Sequence, residues 1–215
     1  MSQGTGSTPP YVRFLGRLIR PFPNFDFFFI KPVRRKAVEW LRLKAGDRVL
    51  DAGCGPGGSF PYLVQAVGAS GSVVGIEISA EICINARKRI AANDWSNVEV
   101  IESSAQEVRL DGRFEGLLMF AAPDVYASAE ALDNILRHLS ENARIVLFGA
   151  KVPRSRWGRS LSPFLRTLVA ALSPTTPTPD EEPWQLIAER IERLHVEEYF
   201  FGWMFLASGD VRTQR

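Results

Sequence analysis

Cysteine and histidine are scarce in this chain, and their scarcity removes whole classes of chemistry. Only Cys54 and Cys83, and only His138 and His195, occur among its 215 residues. Two cysteines make neither a disulfide framework nor a zinc spacing. No His/Asp/Glu cluster at metal-ligand spacing joins them, so no metal is expected. No stretch approaches the ~20 apolar residues that a membrane-spanning helix needs, and no internal repeat is present. The start, MSQGTGSTPP, is too polar for a signal peptide, and the expected setting is reducing and cytoplasmic.

Net charge is also small, +2, and demands no nucleic-acid partner, but it is unevenly placed. Residues 1–48 carry 10 Lys/Arg against 3 Asp/Glu, whereas the rest carry 16 against 21. A basic amino-terminal attachment therefore precedes a mildly acidic body. The expected organisation is a disordered tail over 1–10, a helical cap over 11–46, and a main domain over 47–215 with a lid insert at about 151–185.

Within the cap, 11–20 has helical spacing, Pro21 and Pro23 stop it, and a second helix opens at Pro32 and runs to about Leu43. From there strands and helices alternate. RVLDAG (48–53), SVVGIEI (72–78), NVEVIES (97–103), GLLMFAA (116–122) and ARIVLFGAK (143–151) read as strands. Ser59 and Ser79 read as N-caps of the helices between them, and a further helix falls near 128–138. A helix over PWQLIAERIERL (183–194) precedes two close strands, 196–200 and 203–208, separated by Phe201 and Gly202. Apolar strands alternating with helices predict an α/β, Rossmann-like, mostly parallel sheet with helices on both faces. The last two strands predict an antiparallel hairpin that brings the sheet to seven strands.

The turn after the first strand, VLDAGCGPGGSF (49–60), holds Gly53, Gly55, Gly57 and Gly58. Taken alone, Gly53-x-Gly55-x-x-Gly58 satisfies the dinucleotide fingerprint. Asp51 argues against a diphosphate, because a carboxylate at the strand end repels one and favours a cation. Pro56 lacks the N–H that a phosphate cradle would use, and the lysine and hydroxyl of an ATP-binding loop are missing. Glu77 ends the second strand, on the edge where parallel sheets bind ligands, and a carboxylate there accepts hydrogen bonds from ribose hydroxyls.

These pieces, with FEGLLMFAA and ARIVLFGAK in the same order, resemble the class I S-adenosylmethionine-dependent methyltransferases over roughly 32–150, and the 196–208 hairpin is similar to that family's reversed last strand. The resemblance implies S-adenosylmethionine as cofactor. It implies that Asp51 and the backbone of Gly53, Gly55 and Gly57 surround the methionine end, that Glu77 binds ribose and that Ile78 packs on adenine. Ser104 stands where family members place the Asp that takes the adenine amine. Ala105, which follows it, and Phe120, which closes the fourth strand, are expected cofactor contacts as well. Glu141-Asn142-Ala143 replaces the family's Pro-Gly-Gly turn before the fifth strand.

Methyl transfer from a sulfonium is an in-line displacement in which alignment and desolvation supply much of the rate. A base is needed only when the acceptor must lose a proton. Asp124 and Tyr126, after the fourth strand, are the candidate catalytic residues; the competing reading is a helix-opening Asp and a packing Tyr. His138 and His195 read as structural. Ala121-Ala122-Pro123-Asp124 lacks the element of amino-methylating nucleic-acid enzymes, and neither cysteine lies in a Pro-Cys setting.

Two segments speak to the acceptor. Phe22–Lys36 has five Phe and four basic residues, and Lys151–Leu172 has five basic residues and no acid. They predict an apolar pocket with a cationic rim, hence a small amphiphilic or hydrophobic acceptor, a small molecule or a lipid, with 11–20 and 155–172 in peripheral contact with a membrane. The plain alternative makes the phenylalanines core and the arginines a solvated face. An NAD(P)-dependent reductase, a nucleic-acid or protein methyltransferase and a non-catalytic cofactor-binding module remain as rival functions.

Overall fold

The computed structural model describes residues 30–153 and 181–212. The expected tail, the 11–20 helix, Phe25–Phe29 and most of the lid insert lie outside the described residues.

Strands β1 (Arg48–Ala52), β2 (Ser72–Glu77), β3 (Val98–Glu102), β4 (Phe114–Phe120), β5 (Leu139–Ala150), β6 (Ile191–Tyr199) and β7 (Met204–Val211) form one sheet. Its order is β3-β2-β1-β4-β5-β7-β6. The first five strands are parallel, and β7 runs antiparallel to both β5 and β6. The expected seven-stranded sheet and closing hairpin are present, with the final strand inserted between β5 and β6.

Helices α1 (Lys31–Leu41), α2 (Phe60–Val67), α3 (Ala80–Ala92), α4 (Pro123–Tyr126), α5 (Ala129–Leu136) and α6 (Gln185–Ala188) connect and cover the strands. Pro32 sits in the first turn of α1, where a missing N–H costs nothing. Ser79 caps α3 by accepting the Ile82 N–H. Ser59 precedes α2 without capping it, because its hydroxyl is taken by Arg34.

Successive side chains of a strand serve opposite faces, and β4 shows the consequence. Leu117 and Met119 join one core with Ala131, Leu132 and Ile135 of α5. Leu118 and Phe120 join the other, with Val33, Ala37 and Leu41 of α1 and Leu63 of α2. Both faces are buried, so a one-residue slip would exchange the two sets of side chains between cores of different shape, and close packing opposes it.

Two expectations need correction. The helix over 183–194 is only one turn, Gln185–Ala188, and Ile191 already begins β6. Ile191 pairs with Val211, and its Cδ1 lies 2.4 Å from where a Cβ on Gly209 would stand. Pairing with β7 thus overrides the helical spacing. Likewise Glu141-Asn142-Ala143 is no turn before the fifth strand. β5 begins at Leu139, opposite Phe114, and the register jumps so that Arg144 faces Gly116, leaving exposed Glu141 and Asn142 in the bulge.

Candidate functional site

β1 lies between β2 and β4, which leave it in opposite directions across the sheet, so the crevice beyond its carboxyl end is the switch point where such sheets take ligands. There the chain turns through the glycines. Gly53 and Cys54 both donate their N–H to the Ile76 carbonyl at 2.9 Å, and Gly57 donates to Cys54 O at 3.1 Å. Gly53, Gly55 and Gly57 have φ of +76°, +56° and +78°, a region open to glycine at little cost.

The three glycines are not equivalent. A Cβ on Gly53 would lie 2.5 Å from Ala122 Cβ, and one on Gly57 would lie 2.5 Å from the Phe60 ring. One on Gly55 would meet nothing within 4 Å. The outer two are packed into the protein, and the middle one faces open space. Cys54 fills the underside, with Sγ 2.7 Å from a Cβ position on Gly75. Burial pushes its thiol pKa well up, so it stays protonated and serves packing.

Two carboxylates border this turn. Asp51 is 1% exposed, and neither carboxylate oxygen has a hydrogen-bond partner. Burial pushes its pKa up to about 7, against the pull of the Arg34 guanidinium; the Glu77 charge adds to the rise, and the Ser59 hydroxyl opposes it. A buried acid with no hydrogen bond on either oxygen costs the fold ~1–3 kcal/mol, which an arriving cation would offset.

Glu77, on the neighbouring strand, accepts Gly55 N–H on Oε2 at 3.1 Å and Ser79 N–H on Oε1 at 2.9 Å. Each oxygen keeps a further lone pair for a ribose hydroxyl. Ile78, the next residue, is 65% exposed, an apolar platform at the mouth of the crevice. Ser103 N–H donates to Glu77 O at 3.1 Å, which brings the exit of β3 alongside. The Ser104 hydroxyl accepts Glu107 N–H at 3.2 Å and donates to Glu107 Oε2 at 3.5 Å. Ala105 is buried in the core.

Sequence reasoning missed Arg34. It comes from α1, is buried, and donates Nη1–H to Ser59 Oγ at 2.8 Å. Its guanidinium lies 4.0 Å from the centroid of Phe120, and its Cζ stands 3.1 Å from a Cβ position on Gly58. The signal was present: Arg34 interrupts the apolar stripe of Ile30, Val33, Ala37, Val38 and Leu41, and a charge on a buried face requires partners. Phe120 stacks on Phe148 with centroids 4.4 Å apart, so it lies under the guanidinium as part of the wall.

The two candidate bases separate. Asp124 is exposed on α4. Tyr126 is buried, edge-on to Phe205 with centroids 6.0 Å apart, and its hydroxyl occupies the space beside Gly149. Burial, aided by the Asp124 charge, raises its pKa, so it holds its proton and packs. A second unforeseen charge, Lys151, is buried just past β5. It pairs with Glu198 and lies 5.4 Å from the Trp184 ring centroid. His195 sits on β6 with its ring 4.9 Å from that of Trp40. Among the described residues no group of three or more His, Cys, Asp and Glu side chains has the arrangement of a metal site.

The chain is similar in sequence and in fold to known methyltransferases. Residues 32–117 match the family model of protein-L-isoaspartate(D-aspartate) O-methyltransferase. A 2-phytyl-1,4-naphtoquinone methyltransferase of Trichormus variabilis is 24% identical over 65% of this chain and 63% of its own. A demethylmenaquinone methyltransferase of Symbiobacterium thermophilum is 28% identical over 58% of this chain and 51% of its own. The chain thus spans less than two thirds of the length of these curated relatives. A SAM-dependent methyltransferase from Aquifex aeolicus shares the fold, with TM-score 0.62 and 19% identity over 91% of this chain and 98% of that one.

Proposed function

We propose that this chain, a class I S-adenosylmethionine-dependent methyltransferase in fold and kinship, moves the methyl group of that cofactor onto a small, apolar acceptor of the quinol type. The observation that carries the cofactor reading is the buried Asp51 carboxylate, with no hydrogen bond on either oxygen, beside Glu77. A dinucleotide would bring a diphosphate to this turn, where two acids repel it. A sulfonium and an ammonium are attracted instead.

In this reading Asp51 faces the cationic end of the cofactor, and the open side of Gly55 admits it. Glu77 takes the ribose hydroxyls, Ile78 covers one face of the adenine, and Ser104 meets its edge. Arg34 sets a positive charge toward the methionine carboxylate. The bound cofactor supplies an activated methyl group; the protein supplies alignment and a dry crevice. A quinol-type ring carries its own ionisable hydroxyl, so a strong protein base is not required. Asp124 is the acid left to assist at the β4 edge.

The acceptor reading is supported by the two relatives named above for quinones, and by the apolar, basic sequence of 151–172. Such an acceptor resides in lipid, so the protein works at a membrane surface from the cytoplasmic phase. Among the described residues no helix is long and apolar enough to cross a membrane.

Isothermal calorimetry with S-adenosylmethionine, S-adenosylhomocysteine and NADH tests the cofactor, and the first two alone should bind. Radiolabelled methyl donor added to a cell extract tests the acceptor. Label is expected in the organic-extractable fraction, and label confined to protein or nucleic acid would overturn the quinol reading.

A further inference from the structure

Burying a lysine ammonium is costly unless something receives it, and Lys151 is 2% exposed. It follows Ala150, the last residue of β5, and its N–H bonds Trp203 O at 2.9 Å, which continues the ladder. Lys151 and Gly149 therefore share a face of the strand. Phe205 pairs with Gly149, and Glu198 pairs with Phe205, which brings Glu198 to that face as well. The Glu198 carboxylate accepts a hydrogen bond from Lys151 Nζ. An ammonium has three N–H donors, and among the described residues only this one finds an acceptor. The Glu198 side chain is itself 52% exposed, so the ammonium lies just under the surface.

β5 runs parallel to β4, and β4 to β1, so Lys151 stands beyond the same sheet edge as the glycine turn. One turn of helix joins the two places. α4 puts Val125 Cγ2 3.8 Å from a Cβ position on Gly53, and its Tyr126 hydroxyl lies against Gly149. Its four residues span only ~6 Å. The Trp184 ring lies 5.4 Å from Lys151 Nζ and 4.9 Å from the Phe205 ring. An ammonium with spare donors, aromatic side walls and a place next to the cofactor turn suits a flat ring that carries an oxygen anion.

We propose that Lys151 binds the ring oxygen of the methyl acceptor and holds it ionised for the transfer. The proposal rests on the reading of the acceptor as a quinol-type ring. The proton of the ring hydroxyl leaves to water, and Lys151 keeps its own. The ionised ring supplies the electron pair that bonds the methyl carbon. The carbon–sulfur bond breaks with its pair left on sulfur, and the oxide and sulfonium charges cancel. A ring without the hydroxyl would leave the ammonium no oxygen to meet, so Lys151 also selects against it.

Binding of 4-nitro-1-naphthol to the full chain saturated with S-adenosylhomocysteine tests it, because the absorbance of this probe separates its hydroxyl from its oxide form. Bound to the wild type, the probe should ionise about one pH unit below its value in water. Lys151→Met should return ionisation to the value in water and weaken binding of the oxide about tenfold or more, and Lys151→Arg should restore most of both. Glu198→Gln, at a half-exposed position, removes the counter-charge and should push ionisation lower still. A purely structural ion pair predicts otherwise: both Lys151→Met and Glu198→Gln would lower the unfolding midpoint and leave the bound probe unmoved. Three results would overturn the proposal: a wild type that does not bind the probe, bound probe that ionises as in water, or Lys151→Met and Glu198→Gln shifting it in the same direction. The assay involves no methyl transfer, so its failure beside organic-extractable label in the extract experiment would strike the role of Lys151 and leave the quinol reading standing.

Discussion

The Glu77 carboxylate accepts the Gly55 N–H at 3.1 Å, which ties the acid at the tip of β2 to the turn that leaves β1. Its other oxygen holds Ser79 N–H at 2.9 Å, at the start of α3. One side chain thus fixes two walls of the crevice while presenting its free lone pairs to a ligand.

Glu77→Ala should therefore cost more than ribose contacts. Losing two charge-assisted bonds of ~1.5–3 kcal/mol each, with partial overlap, predicts about 2–4 kcal/mol of cofactor affinity. The unfolding midpoint should fall as well, because two backbone N–H groups lose their acceptor. Glu77→Gln, which keeps one acceptor oxygen, should recover part of both. Calorimetry and thermal unfolding read the two effects separately, and an unchanged dissociation constant in the alanine variant would refute the ribose assignment.

Asp51→Asn should make the protein more stable at neutral pH and a poorer cofactor binder. The carboxyl pKa is 3.8 unperturbed and about 7 in the fold. Between those values the folded state keeps a proton that the unfolded state has released. Wild-type stability therefore falls as pH rises through that window, by up to ~1.4 kcal/mol per pH unit, and levels off above it. The asparagine variant has no such slope. Unfolding midpoints measured from pH 4 to 8 should show its advantage growing up to about pH 7. A constant difference across the series would contradict the raised pKa.

The seven-stranded sheet, its first five parallel strands and the acids at its edge were legible in the sequence because apolar runs and glycine spacing are local signals. The first part of β6, from Ile191 to His195, was not, because Leu186, Ile187, Ile191 and Leu194 satisfy helical spacing equally well, and only pairing with β7 decides between the two. Arg34 and Lys151 were hidden for a related reason. Each looked like one more member of a basic run, and its burial depends on partners distant in sequence, Ser59 and Glu198. The burial of Tyr126 against Gly149 is likewise a contact between elements distant in sequence, α4 and the end of β5.

The glycine turn should divide under mutation. Gly53→Ala brings a methyl within 2.5 Å of Ala122 Cβ and should lower the unfolding midpoint markedly. Gly55→Ala meets no protein atom within 4 Å, so its folding cost is that of a left-handed alanine, ~1–2 kcal/mol. Its main effect should be on cofactor affinity, and Gly55→Val should abolish binding through the larger volume. Folding and binding measured on the three variants check the division. It fails if Gly55→Ala binds as tightly as the wild type.

Tyr126→Phe should retain turnover. The hydroxyl is packed beside Gly149, and burial holds its proton, so removing it takes away no base. A fall in kcat of tenfold or more with the fold intact would restore Tyr126 as a catalytic residue.

Arg34 should set the pH at which cofactor binding begins. Its guanidinium is the main influence holding the Asp51 pKa down against burial. If the ionised acid is the form that receives the cation, affinity should fall by up to tenfold per unit as pH drops below about 7. Arg34→Met removes that positive charge, so Asp51 should hold its proton to higher pH and the affinity profile should shift upward. Arg34→Lys loses the planar fork that reaches Ser59 at 2.8 Å, yet keeps the charge. It should return the profile toward the wild-type midpoint while leaving the protein less stable. Dissociation constants from pH 5.5 to 9 for the three proteins separate charge from packing. If the methionine and lysine variants shift equally, Arg34 acts through its shape alone.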